Sequence, residues 1–231
     1  MKVATRLSPY NQVGLSLIEI MIALLIGAFL LGGVLQIFIG SKQTYRMQEN
    51  LSRLQENGRF AMGFLATDIS MSGYRECLAF TVPKPIEGTD NTGLNLSDTI
   101  TIQLSTGACA ASVLSTKTYS VQTNASGQPA LFIKNDAAAP QDLIEGIENM
   151  QILYGVDTDS DKTANYYVPA DPALNWPNVV SIRISLLAAT LVDKLTAQPQ
   201  PYTYNGATTT PTDRRIRRVF TSTVALRNRL P

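Results

Sequence analysis

Gly14-Leu15-Ser16-Leu17-Ile18-Glu19 opens an almost unbroken apolar run that continues to Ile39. Crossing a bilayer as a helix takes about 20 apolar residues at roughly 1.5 Å each, and residues 15–39 meet that length. One acid, Glu19, lies inside the run. A carboxylate at the centre of a spanning helix costs about 2.5–3.5 kcal/mol, and less near an end. A glutamate kept in such a place points to function rather than to chance composition.

The fourteen preceding residues carry Lys2 and Arg6 and no acid, a pattern that holds a segment on the cytoplasmic side. A secretory signal ends its apolar core at a small-residue cleavage site on the far side. Here the small residue, Gly14, comes first, so a cut after it leaves the apolar helix on the mature chain. Such a cut also creates a cationic amine at Leu15. Carboxylates in low dielectric are tolerated mainly when paired, so Glu19 of one copy could meet the Leu15 amine of its neighbour and set their axial register. The plainer reading is a membrane anchor with an interfacial acid.

Gly14, Leu15 and Glu19, in register ahead of a spanning helix, resemble the processing site and first helix of type IV pilins and type II secretion pseudopilins. The resemblance implies cleavage after Gly14 by a prepilin peptidase, methylation of Leu15, and Glu19 as the filament glutamate. Leu15 stands where the family usually has Phe, a conservative departure.

The chain of 231 residues has room for a helical stalk and one globular domain, and its net charge of +1 argues for no acidic or nucleic-acid ligand. It contains no histidine, which removes His-based triads and the commonest zinc and iron ligand. Cys77 and Cys109 are the only cysteines. With the leader read as above, the region after Ile39 lies in the bacterial periplasm, where disulfides form. A Cys77–Cys109 bond is then expected, closing a loop of about 33 residues worth roughly 3–4 kcal/mol. Two buried free thiols are the alternative.

Residues 41–72 hold no proline and are rich in Gln, Arg, Glu, Leu and Met, and Gly73 follows as a helix-ending residue. One helix over 15–72, roughly 85–90 Å long, is expected. Met47, Leu51, Leu54, Gly58, Ala61, Met62, Leu65 and Ile69 share one face of it and should pack on a head domain. Phe60, Phe64 and Met71 lie opposite, for a second buried side or for neighbouring subunits. After Gly73 the texture turns to short β-rich runs: strands are predicted at 99–104, 118–123, 130–134, 150–156, 179–187 and 217–227, with a turn at Gly146 and a surface loop at 193–211. The expected fold is α+β, type IV pilin-like, with a long N-terminal helix packed on an antiparallel β-sheet head. Its divisions are a leader at 1–14, a membrane or filament-core helix at 15–39, a periplasmic helical half at 40–73 and a head at 74–231.

A narrower resemblance covers most of the chain. The block from Leu51-Ser52-Arg53-Leu54-Gln55 to Phe60, then Gly73-Tyr74-Arg75 with Cys77, is similar to the PilW family of minor pilins. So are Ile144-Glu145-Gly146-Ile147-Glu148, Tyr154-Gly155-Val156-Asp157 and the ending Val224-Ala225-Leu226-Arg227-Asn228-Arg229. The resemblance implies a non-enzymatic subunit that helps initiate a type IV pilus and sits at its tip. Implied partners are other minor pilins, the major pilin, an inner-membrane assembly platform and a tip adhesin. Pseudopilins of the J type share much of the pattern. A bitopic periplasmic binding or enzyme domain is the reading of a different class, and the missing histidines count against it.

Two further clusters bear on chemistry. Asp157, Asp159 and Asp161, with Asn165, match the start of a calcium loop. Lys162 stands where that loop needs glycine, and Val168 where it needs a bidentate glutamate, so a solvated acidic turn is the competing account. Arg214, Arg215, Arg217 and Arg218 form a basic run that could meet phosphate, but aromatic residues for base stacking are sparse and nucleic acid is not an expected partner. Trp176 reads as an anchor of the head's core or of an interface.

Overall fold

A computed structural model describes Gly14 and residues 16–229. Helix α1 spans Leu17–Ser70, 54 residues with no proline to break it. Its start is capped: the Glu19 amide donates to the Ser16 hydroxyl (3.3 Å) and carbonyl (3.1 Å), which takes up one donor the first turn leaves orphaned. Its end comes two residues short of the expected 72, in a turn closed by Gly73 at φ +74°, a conformation that glycine adopts without strain. The described residues up to Arg46 and those from Met47 onward form separate compact units. In the first unit the large apolar side chains between Leu17 and Ile39 are exposed, and α1 is long and apolar enough to cross a membrane.

The second unit builds its core from two antiparallel sheets and the distal part of α1. Strands β1 (Ile86–Thr89), β2 (Thr99–Thr106), β3 (Val113–Thr123), β4 (Pro129–Asn135) and β5 (Gln141–Glu145) form a meander in sequence order. The second sheet contains β6 (Ile147–Val156), β7 (Tyr166–Val168), β8 (Val179–Ala189) and β11 (Arg217–Ala225), in the order β11-β8-β6-β7. Gly146 is the pivot between them. At φ +83° it donates to the Pro129 carbonyl and accepts from the Ala189 amide, and a Cβ there would lie 2.7 Å from the Ala189 oxygen. The predicted strands are all present, most of them longer by a few residues. Five short ones escape the sequence reading: β1, β5, β7, and the pair β9 (Tyr202–Tyr204) and β10 (Ala207–Thr209), which make a small hairpin inside the region expected to be loop.

The helix face read from the sequence is the one that packs. Leu54, Gly58, Ala61, Leu65 and Ile69 are buried, with Leu51 and Met62 half-buried beside them. They meet Ile100, Ile102 and Tyr119 of the first sheet and Ile152, Ile182 and Ile184 of the second in one continuous core. Polar pins fix the docking. Asp68 accepts from Lys117 Nζ (2.9 and 3.0 Å) and from the Tyr119 hydroxyl (2.5 Å), and Asn57 donates to the Glu145 carbonyl (3.0 Å). Gly58 earns its place by proximity, since a Cβ there would lie 2.2 Å from the Phe220 ring. Phe60, Phe64 and Met71, on the other side, are 48%, 49% and 38% exposed.

Candidate assembly interface

Helix α1 begins where the proposed processing site ends. Gly14 is exposed and outside the helix, and Leu15 lies outside the described residues. Ser16 is the N-cap and Glu19 the third helical residue, the spacing of a capping box, in which an acid at that position also favours the positive end of the helix dipole. That local role was legible in Ser16-x-x-Glu19 and complements a role in pairing. Glu19 is exposed near the start of the apolar segment.

At the other end of α1 the chain is fastened immediately. The Gly73 amide donates to the Gln103 carbonyl (2.8 Å), the Ser105 amide to the Tyr74 carbonyl (2.8 Å) and the Glu76 amide to the Ser105 carbonyl (3.2 Å). One residue later the expected disulfide is present between Cys77 and Cys109. Asn228, from the far end of the sequence, donates to the carbonyl of Ser70 (3.4 Å), one of those a helix end leaves unpaired, and to that of Ser72 (3.1 Å) in the turn that follows. The Arg-Asn-Arg ending singled out in the sequence therefore acts in part as a C-terminal cap for α1.

The acidic turn is ordered by its own backbone. Carboxylate oxygens of Asp157, Asp159 and Asp161 lie within 4.8 Å of one another. Both oxygens of Asp157 are engaged, accepting from the amides of Asp159 (3.1 Å), Ser160 (2.7 Å) and Lys162 (3.0 Å). Those amide bonds hold its carboxyl below the ordinary range against the opposing effect of desolvation. Asn165, the fourth candidate ligand, accepts from the Thr158 amide (2.8 Å) and hydroxyl and donates to Asp159 (3.3 Å). The donor set suits a hard cation in type, while its best-placed oxygens already serve as a turn scaffold.

The arginine run does not form one surface patch. The Arg217 side chain is only 8% exposed; it bonds Glu148 through Nε (2.6 Å) and Nη2 (2.9 Å) and Asp213 through Nη1 (2.8 Å) and Nη2 (2.7 Å). Arg215 donates to Gln128 (3.1 Å), and the Arg214 amide is bound by Asp193 (2.8 Å). Arg218 alone of the four is exposed. The sequence reading missed the Glu148–Arg217–Asp213 network because its members lie 69 and 4 residues apart. Trp176 packs edge-on against Tyr154, ring centres 4.9 Å apart at 80°, as a core anchor.

With this geometry in hand, comparison with known proteins is informative for the head. The family described as Type IV Pilus-assembly protein W (PilW) matches residues 118–228, from β3 through β11 to Asn228. No curated protein matches the chain. Among solved structures, the type IV-like pilin TTHA1219 from Thermus thermophilus is 18% identical, with a TM-score of 0.48, over 76% of this chain and 98% of that one. Residues 118–228, most of the head, are thus similar to the PilW family of type IV pilus-assembly proteins.

Proposed function

We propose that this protein is a minor pilin that helps to start a type IV pilus and occupies its tip. In this reading a prepilin peptidase cuts after Gly14 and methylates Leu15, and residues 15–39 hold the protein in the inner membrane with its head in the periplasm. Assembly then moves that helix from lipid into the filament core. The observation that carries the reading is an exposed apolar helix with one acid at its start, on a chain whose head is similar to a pilus-assembly family over residues 118–228.

The mechanism follows from solvation. The large apolar side chains from Leu17 to Ile39 are uncovered, a surface that only lipid or other apolar helices can satisfy. Lateral packing of such helices gives little choice of register, because one apolar stripe slides on another at small cost. The carboxylate of Glu19 supplies the choice: only the axial stagger that brings it to a neighbour's Leu15 amine neutralises both charges in low dielectric. Interaction with other minor pilins, the major pilin, the assembly platform and a tip adhesin falls to the head. Glu19→Ala is expected to leave membrane insertion and head folding intact while abolishing recovery of the chain with other pilins in sheared surface filaments. Normal incorporation of that variant would refute the pairing.

A further inference from the structure

Strand β11 closes the second sheet with one edge bonded and the other open. Its register with β8 is unbroken over nine pairs, and the Leu226 amide continues the ladder to the Val180 carbonyl. Bonded pairs alternate along an antiparallel ladder, so even-numbered residues from Arg218 to Val224 turn their amides and carbonyls toward β8. Val219, Thr221, Thr223 and Ala225 turn theirs away, toward a side where no strand is paired among the described residues. None of the nine β11 residues is buried, whereas eight of the eleven in β8 are.

A groove of about 730 Å³ follows this edge. It touches residues 218–221 consecutively; since successive side chains point to opposite faces, a groove meeting all four runs along the edge and not across one face. Its other wall is a stripe of α1 that includes Arg59, Met62, Gly63 and Ala66, and nothing lies within 4 Å of where a Gly63 Cβ would be. Arg59 and Arg218 bring two positive charges into the groove, and no carboxylate lines it. Exposed edges are ordinarily blunted by proline, a bulge or inward charge; Val219-Phe220-Thr221-Ser222-Thr223-Val224-Ala225 has none of these.

We propose that this edge takes up an extended, acidic segment of a partner polypeptide as a fifth strand of the second sheet. Main-chain bonds form to Val219, Thr221, Thr223 and Ala225, apolar side chains lie on Met62 and Ala66, and a carboxylate is held between Arg59 and Arg218. The inference rests on the head alone and stands whether or not the membrane helix works as proposed above.

The test uses the full chain in detergent micelles and a strand-forming octapeptide of alternating valine and threonine with two glutamates, against the same peptide with lysines in their place. The acidic peptide is expected to bind at least tenfold more tightly and to slow amide exchange at Val219, Thr221 and Thr223 selectively. Thr221→Pro removes an amide that faces only the open edge, so it should weaken binding at least tenfold while leaving the unfolding temperature nearly unchanged. Arg218→Glu should reverse the peptide preference and covers the case in which the proline variant fails to fold. Equal binding of both peptides, no binding, or protection elsewhere overturns the proposal. So does equal binding of an oligonucleotide of the same charge, which would assign the arginines to phosphate, or pairing of β11 with a second copy of the chain.

Discussion

Replacing Arg217 by methionine should be among the most damaging single changes available in β11. Its guanidinium is 8% exposed and makes four charged hydrogen bonds, two to Glu148, itself 14% exposed, and two to Asp213, 31% exposed. Removing one member of a buried ion pair leaves the other charge stranded, at a cost of about 3–5 kcal/mol. The wetter Asp213 limb adds little after screening, so we expect a total of ~3–4 kcal/mol. For a protein of this size that lowers the melting temperature by about 6–16 °C. Trp176 is the only tryptophan and packs on the core residue Tyr154, so its fluorescence reports unfolding of the head without a label. Two comparisons isolate the cause. Arg53→Met breaks the pair with Glu49, whose side chains are 65% and 43% exposed, and should cost below ~0.5 kcal/mol. Arg217→Met combined with Glu148→Met removes both charges and should recover most of the loss. Asp213 is held below the ordinary carboxyl range chiefly by its bond to Arg217. Its contribution is therefore present above about pH 4 and lost as pH falls below that, a branch that Arg217→Met should flatten. A single variant as mild as Arg53→Met, or a double variant as damaged as the single one, would refute the reasoning.

Reduction of Cys77–Cys109 should lower stability by about 3–4 kcal/mol in urea titrations, without unfolding the head at 25 °C, since residues 73–76 remain bonded to β2. Asp98 bonds the amides of Asn91 and Ile152, but burial pushes its carboxyl up to about 6. The native state then keeps a proton between about pH 4 and 6 that the unfolded chain has released, so acidification from pH 7 to 5 should raise the urea midpoint, and Asp98→Asn should remove that rise. The 157–165 turn, already fastened by backbone amides, is expected to keep its amide protection in chelator; calcium-dependent ordering at millimolar metal would instead support the cation reading.

How much of this was legible in the sequence depended on the range of the interactions. The helix and its buried face follow from periodicity, and the cap at Gly73 follows from glycine's freedom at positive φ, so each was readable within a few residues. Gly146 could be read as a turn, but its role as the pivot between two sheets depends on Pro129 and Ala189 and could not. Strands β1 and β7, of four and three residues, carry too few alternations to stand out, and both are fixed by longer neighbours. The arginine run misled for a related reason. Four arginines within five residues suggest a patch, yet β11 sends Arg217 and Arg218 to opposite faces, and Glu148 withdraws Arg217 from the surface. Ser16 was the reverse case: its capping signal was complete in the sequence and was overshadowed by the glutamate it precedes.

The fastening at the end of α1 has a mechanical consequence. A pull along the helix axis meets the packed face from Leu51 to Ile69 and the pins at Asn57 and Asp68 first, and then Ser70–Gly73, where Asn228 grips two carbonyls and the next residues bond to β2. Bonds arranged side by side across a direction of tension share it and must rupture nearly together, whereas bonds met one after another peel apart at low force. If the hydrogen bonds do yield, extension stops at Cys77, where the covalent link to Cys109 passes the tension into the first sheet. The junction thus has a covalent stop behind its hydrogen bonds, so that loss of the weaker set does not release the helix from the sheet.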